Sequence, residues 1–377
     1  MNSMLYFDNA ATTKISEVAL AAYDKVSEEY WANPSSLHRE GQKAKQRLED
    51  DRNEIARYLG VPASTLTFTS GATEANGIIL QNLLWAPKSQ SVIIPSIEHN
   101  AVRGYERLLR EKGWDVVSLD APRGFINPRQ LESALSDQTR LVCCMLVNNV
   151  LGTVQMVEEL VQVVRNFQMR TGRKIHVHTD ATQALGKVDF NLTKLGVDSA
   201  AFSAHKLQGP RGIGLLYNTD SSLVALSQGG EQERSLRPGT ENLPAIEAMT
   251  VAIKDAFDRF DEHQQRAQEI NALVRASLGE VVNILTPKEN SSPYILNIST
   301  NKFPSEVFTR MLYDQNCCVS SGSACSNNAK QKAENVLSAM KFPPSIAKGS
   351  IRLSFGYDTT VEQAQQLCTT IRQLIRM

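Results

Sequence analysis

Short apolar runs of strand length alternate with amphipathic helical patterns over residues 48–203. The strand candidates are LTFTS (66–70), SVIIP (91–95), RLVCCMLV (140–147), IHVHTD (175–180) and AAFS (200–203). Between them lie LEDDRNEIARYLG (48–60), AVRGYERLLREKG (101–113) and MVEELVQVVRNFQMR (156–170), each with apolar residues at helical spacing. Runs that are apolar on both faces cannot sit at a water-facing sheet. Spaced by helices, they predict a mostly parallel sheet covered on two sides, an α/β fold. In such sheets ligands bind beyond the carboxyl ends of the strands, where Ser70, Asn148, Asp180 and Ser203 fall.

The pattern changes near residue 245. LPAIEAMTVAIKDAFDRFDEHQQRAQEINALVRASLG (243–279) has no proline after Pro244 and predicts one long helix. That helix would bridge to a smaller α+β domain made of YILNIST, EVFTRMLYDQ, CCVSSGSAC, GSIRLSFG and the final helix. The length of 377 residues accommodates both parts. Apolar residues make up 42% and the formal net charge is zero, so no electrostatic argument favours nucleic acid or an acidic membrane. No 18-residue apolar run occurs, and the start lacks the pattern of a signal peptide. Six cysteines without a CxxC spacing give neither a disulfide framework nor a zinc site. A reduced, cytoplasmic protein with free thiols is expected, and no metal.

The segment LGVDSAAFSAHKLQGPRGIGLLYN (195–218) carries the chemistry. A strand ends in Ser203-Ala204-His205-Lys206, then a Gly/Pro turn leads to a second apolar strand. Lys206 thus sits between a hydroxyl, an imidazole and a glycine-rich turn, a setting for an amine that forms a Schiff base beside donors for an anion. Twenty-six residues upstream, Asp180 ends another strand. A carboxylate there can pair with a protonated pyridine nitrogen and make pyridoxal phosphate an electron sink. A lone lysine before a glycine turn is more often a surface residue; with Asp180, Gln183, Ser203 and His205 in this order it reads as a pyridoxal-phosphate site. FTSGATEANG (68–77) reads as strand, glycine turn and helix, whose start, with Thr73, suits a phosphate dianion.

HTDATQALGK (178–187) and FSAHKLQGPRGIG (202–214) resemble the cofactor segments of class V, fold-type I pyridoxal-phosphate enzymes, in particular the cysteine desulfurases. VSSGSACS (319–326) resembles the cysteine motif of their group I, NifS/IscS-like branch. YFDNAATT, NPSSLHREGQ, FTSGATEANG, IEHNAV, VNNVLGTVQ, RPGTEN and IRLSFG extend the resemblance over nearly the whole chain, in the family's order. It implies a large cofactor-binding domain over 13–255 and a small domain from 1–12 plus 256–377. It assigns Ala72, Thr73, Ser203 and His205 to the phosphate, His99 to the pyridine face with acid/base work, and Asp180 to the ring nitrogen. Gln183 would donate to the phenolic oxygen, and Lys206 would hold the cofactor and move the Cα proton. Asn149 and Arg352 would bind the substrate carboxylate, Arg352 through its two-pronged donor geometry. Thr240 would reach the phosphate from a second subunit, which implies a homodimer.

Cys325 separates a desulfurase from a transaminase. Taking sulfur from L-cysteine requires a thiol nucleophile that leaves as a persulfide, and transamination requires none. Ser320 to Ala324 form a small, polar approach to Cys325, whereas Cys143, Cys144, Cys317, Cys318 and Cys368 read as packing residues. The expected activity is conversion of L-cysteine to L-alanine with sulfur passed to a sulfur-acceptor protein, for iron–sulfur cluster assembly or thiolation. Selenocysteine lyase, small-amino-acid transaminase and a catalytically silent interaction subunit are the alternatives. Val150 stands where the family carries an acidic residue, and AENVLSAM replaces the usual segment after the cysteine motif. The chain stops at IRQLIRM, where cluster-assembly members carry a longer tail that docks their scaffold.

Overall fold

The protein, represented by a computed structural model, is described over residues 4–86, 88–321 and 336–376. Its first strand, β1 (Leu5–Tyr6), belongs to the C-terminal part of the fold. The central sheet has seven strands: β2 (Leu66–Thr69), β3 (Ser91–Pro95), β4 (Asp115–Leu119), β5 (Thr139–Cys143), β6 (His176–Asp180), β7 (Ser199–Ser203) and β8 (Gly214–Asn218). Their order is β2-β8-β7-β6-β5-β3-β4. β7-β6, β6-β5, β5-β3 and β3-β4 pair in parallel, and only β8 runs against its neighbours. This is the mostly parallel, doubly covered α/β sheet that the apolar runs predict. β4 does not stand out among those runs because it is the sheet's edge strand, with exposed positions at Asp115 and Ser118.

Helices α1 (Glu17–Glu29), α2 (Arg39–Leu59) and α3 (Ala72–Asn82) precede or cross the sheet. Ser16 caps α1 by accepting from Ala19 N, and Gly60, at φ +66°, ends α2 in the left-handed conformation a β-carbon disfavours. The predicted long helix is two helices, Leu243–Asp258 and Phe260–Leu278. Arg259 separates them with φ −111° and ψ 22°, outside the helical well. The apolar spacing continues across that break, so the periodicity alone shows no interruption.

β9 (Asn283–Ile284), β10 (Ile295–Ser299), β12 (Ser320–Ser321) and β13 (Ser350–Ser354) form an antiparallel sheet, and β1 pairs with β11 (Cys317–Cys318). Leu5 and Phe7 pack with Ile270, Leu296, Phe308, Ile351 and Leu367 in a core of their own. The N-terminal segment then crosses to the central sheet. Ala10 N donates to Ser354 Oγ at 2.9 Å and Thr13 N to His205 O at 2.9 Å. Residues 8–13 therefore tie the C-terminal sheet to the loop carrying Lys206. Among the described residues, no helix is long and apolar enough to cross a membrane.

Candidate active site

A cavity of about 600 Å³ opens at the carboxyl ends of β6 and β7. Its wall includes Ala72, Thr73, His99, Asn149, Asp180, Gln183, Ser203, His205, Lys206 and Arg352. Segments more than 250 residues apart in sequence thus converge on one space. Thr240 is exposed and does not line it. Cys325 lies outside the described residues, although Ser320, five positions earlier, is on the cavity wall. No group of three His, Cys, Asp or Glu side chains among the described residues is placed to hold a metal ion.

One end of the cavity is built for an anion. α3 begins after Gly71 without a side-chain cap, so its first N–H groups and the positive end of its dipole face the loop region. Close approach here depends on glycine: a β-carbon on Gly214 would lie 2.5 Å from Gly71 Cα and from Phe202 O. Ser203 and His205 come in from the end of β7. Burial, then Lys206, Lys187 and Arg211, hold the His205 imidazole down at about 4, so it is neutral at physiological pH. His205 Nδ1 contacts Thr12 Oγ1 at 3.1 Å.

The middle of the cavity is set by Asp180, His99 and Lys206. Asp180 is 5% exposed and accepts from Asn76 Nδ2 at 2.8 Å and Thr182 N at 3.0 Å. A carboxylate has about four acceptor sites, so capacity remains for a donor in the cavity. His99 caps the helix Asn100–Arg103, its Nδ1 accepting from Ala101 N at 3.1 Å. That bond places the neutral ring's proton on Nε2. Lys206 Nζ donates to Ala10 O at 2.7 Å and Ala11 O at 2.6 Å. Gln183 Nε2 donates to Ala10 O at 2.8 Å, and its Oε1 lacks a partner among the described residues. The amide carries two N–H donors, so one remains beyond the bond to Ala10 O.

At the other end Arg352, 6% exposed, donates to Asn149 O and to Asp8 Oδ1, both at 2.8 Å. Its Nε and the buried Thr182 Oγ1 have no partner among the described residues. Buried polar atoms left unpaired beside a cavity mark a space suited to a polar ligand. The expected pair Asn149 and Arg352 is in contact, through the Asn149 backbone. Asp8 and Asn76 are contributors the residue-by-residue reading missed. YFDNAATT and FTSGATEANG contain them, but their partners lie 344 and 104 residues away.

Glu98 adds a buried carboxyl. Its Oε1 accepts from Met145 N at 2.5 Å, and burial followed by repulsion from Asp180 raises it to about 8. The folded protein therefore keeps this proton over pH 5–8, whereas the unfolded chain releases it above about 4.5. With more protons bound in the folded state, this group makes stability fall as pH rises through that window, and the loss levels off above about 8. Glu98→Gln keeps the acceptor for Met145 N and removes the titration. In urea unfolding of the cofactor-free protein, the variant should gain on the wild type steadily from pH 5 to pH 8. Parallel profiles would contradict the assignment.

The sequence matches the class-V aminotransferase family over residues 5–367. It is 36% identical to a NifS/IcsS protein homolog of Lactobacillus delbrueckii subsp. bulgaricus, covering 98% of this chain and 97% of that one. It is 32% identical to a cysteine desulfurase IscS of Dictyoglomus turgidum, over 100% of this chain and 95% of the relative. A solved NifS-like protein superimposes with a TM-score of 0.92 at 32% identity, over 99% of both chains. With a family match over most of its length and a cavity built from that family's segments, the chain belongs to the class-V aminotransferases, of fold-type I.

Proposed function

We propose that this chain is a pyridoxal-phosphate-dependent cysteine desulfurase. The carrying observation is the convergence of Lys206, Asp180, an uncapped helix start and Arg352 on one cavity, in a chain 32% identical to a protein named cysteine desulfurase IscS. The residues fit the cofactor: α3's start, Thr73, Ser203 and His205 would hold its phosphate, and Asp180 its ring nitrogen. When bound, pyridoxal phosphate supplies an electron sink for charge at the substrate Cα. Lys206 Nζ would hold it and take the Cα proton. Arg352 would exchange part of its contact with Asp8 for the carboxylate of L-cysteine, a two-pronged match. His99 Nε2–H would face the ring. Cys325 would attack the substrate sulfur, keep it as a persulfide and pass it to an acceptor protein.

The resemblance further supports a division into 13–255 and 1–12 plus 256–377, and a homodimer in which the exposed Thr240 completes the partner's phosphate site. The five other cysteines are all free, in keeping with a reducing, cytoplasmic setting. Protein loaded with pyridoxal phosphate and given L-cysteine with a thiol reductant should release alanine and sulfide in equal amounts. Transfer of the amino group to a keto acid, leaving the thiol-bearing keto acid of cysteine and no sulfide, would favour a transaminase.

A further inference from the structure

A file of polar side chains runs along one face of β6, from the cavity to the opposite end of the sheet. His176, His178 and Asp180 alternate along the strand and so share the face toward α3. Asn76 of α3 donates to Asp180 Oδ2 at 2.8 Å, and its Oδ1 lies 2.7 Å from His178 Nε2. His178 Nδ1 is 2.7 Å from Ser199 Oγ of β7, which is also 2.7 Å from His176 Nε2. His176 Nδ1 faces Asp220 Oδ2 at 3.8 Å. Asn76, His178 and Ser199 are fully buried, while His176 reaches a second cleft of about 260 Å³ with Arg140, Lys174, Asp220 and Ser222.

Hydrogen-bond chemistry allows this file one direction of donors. A carboxylate only accepts, so Asn76 must turn its NH₂ to Asp180 and its oxygen to His178. His178 Nε2 must then carry the proton. Burial keeps the ring neutral, lowering it to about 3, so Nδ1 is an acceptor. Ser199 therefore gives its one proton to His178 and accepts from His176 Nε2–H. We propose that Ser199 and His176 are positioning residues for Asp180: Ser199, held between the two rings, fixes the His178 imidazole, and His178 fixes the Asn76 amide whose NH₂ reaches the carboxylate that would hold the cofactor ring. Neighbouring bonds in a buried chain polarise and reinforce one another, so the effect reaches Asp180 without contact.

This rests on the function proposed above, and the test separates the two. In the cofactor-free protein labelled with ¹⁵N-histidine, His178 should be the Nε2–H tautomer in the wild type and in His176→Gln, which keeps an N–H donor. In Ser199→Ala and His176→Phe the same tautomer should persist, with its Nε2–H exchanging faster with solvent because the ring has lost its support at Nδ1. Pyridoxal phosphate should dissociate about tenfold more readily from Ser199→Ala and about threefold from His176→Phe, the range expected for one internal hydrogen bond. The pH midpoint of the bound cofactor's visible absorption should move in the same two variants and return in His176→Gln. Glu98, Lys187, His205 and Lys206 around the cavity, and Asp220, Lys174 and Arg140 around His176, are common to all of them. An Nδ1–H tautomer in the wild type, or folded variants with unchanged dissociation and midpoint, would overturn the proposal. A wild type that binds no pyridoxal phosphate would instead overturn the proposed function.

Discussion

Lys206→Ala is expected to lower turnover of L-cysteine by more than about a thousandfold, because one amine both holds the cofactor and moves the Cα proton. The competing amine is Lys187. It is 3% exposed, and burial, then Lys206 and Arg352, bring it down to about 7, so a large share of it is the free amine at neutral pH. Position decides against it. Lys187 does not line the cavity and sits 5.9 Å from the Tyr294 ring, whereas Lys206 stands on the wall with Asp180 and His99. Borohydride reduction of the loaded wild type should therefore fix the cofactor mass to the peptide containing Lys206. Lys206→Ala should show no fixed label. A label on Lys187 would sink the assignment.

Much of this site is legible in the sequence because the fold delivers it through local rules. Apolar runs mark the strands, and the residue ending each strand lands where parallel sheets bind ligands, so Asp180 and Ser203 are placed by position alone. FTSGATEANG likewise encodes strand, turn and helix start within ten residues. What escapes local reading depends on a remote partner. Gln183 gives one N–H to Ala10 O, 173 residues earlier. Asp8 becomes part of the site only through Arg352, and Asn76 and Ser199 only because α3 and β7 flank β6. The reading of IHVHTD as apolar on both faces fails, because His176, His178 and Asp180 alternate along β6 and form a polar face hydrogen-bonded to Asn76 and Ser199. The break at Arg259 is hidden, since apolar spacing reports which face is buried and not whether the backbone is continuous.

Cys325→Ser should abolish release of both sulfide and alanine from L-cysteine, a loss of at least about a thousandfold, while the protein still binds pyridoxal phosphate and its absorption still changes on adding L-cysteine. The side chain keeps its size and loses only the sulfur nucleophile. The other thiols offer no substitute. Burial pushes Cys143 well up, and it raises Cys317 and Cys368 as well, the latter to about 11. Cys144 is also raised by burial, and Cys318 by burial and then Asp8. A thiol held above its usual range presents little thiolate at neutral pH. Cys325 is tethered five residues beyond Ser320 on the cavity wall, a reach of at most about 17 Å along an extended chain, enough to bring a sulfur to the substrate. Cys318 is the informative control, being the one cysteine among the described residues that is not buried. Cys318→Ser should keep full activity, and mass spectrometry of the wild type after L-cysteine should find the extra sulfur on the Cys325 peptide. Sulfide release by Cys325→Ser at the wild-type rate would replace the persulfide mechanism with a lyase, in which the substrate sulfur leaves without a protein nucleophile.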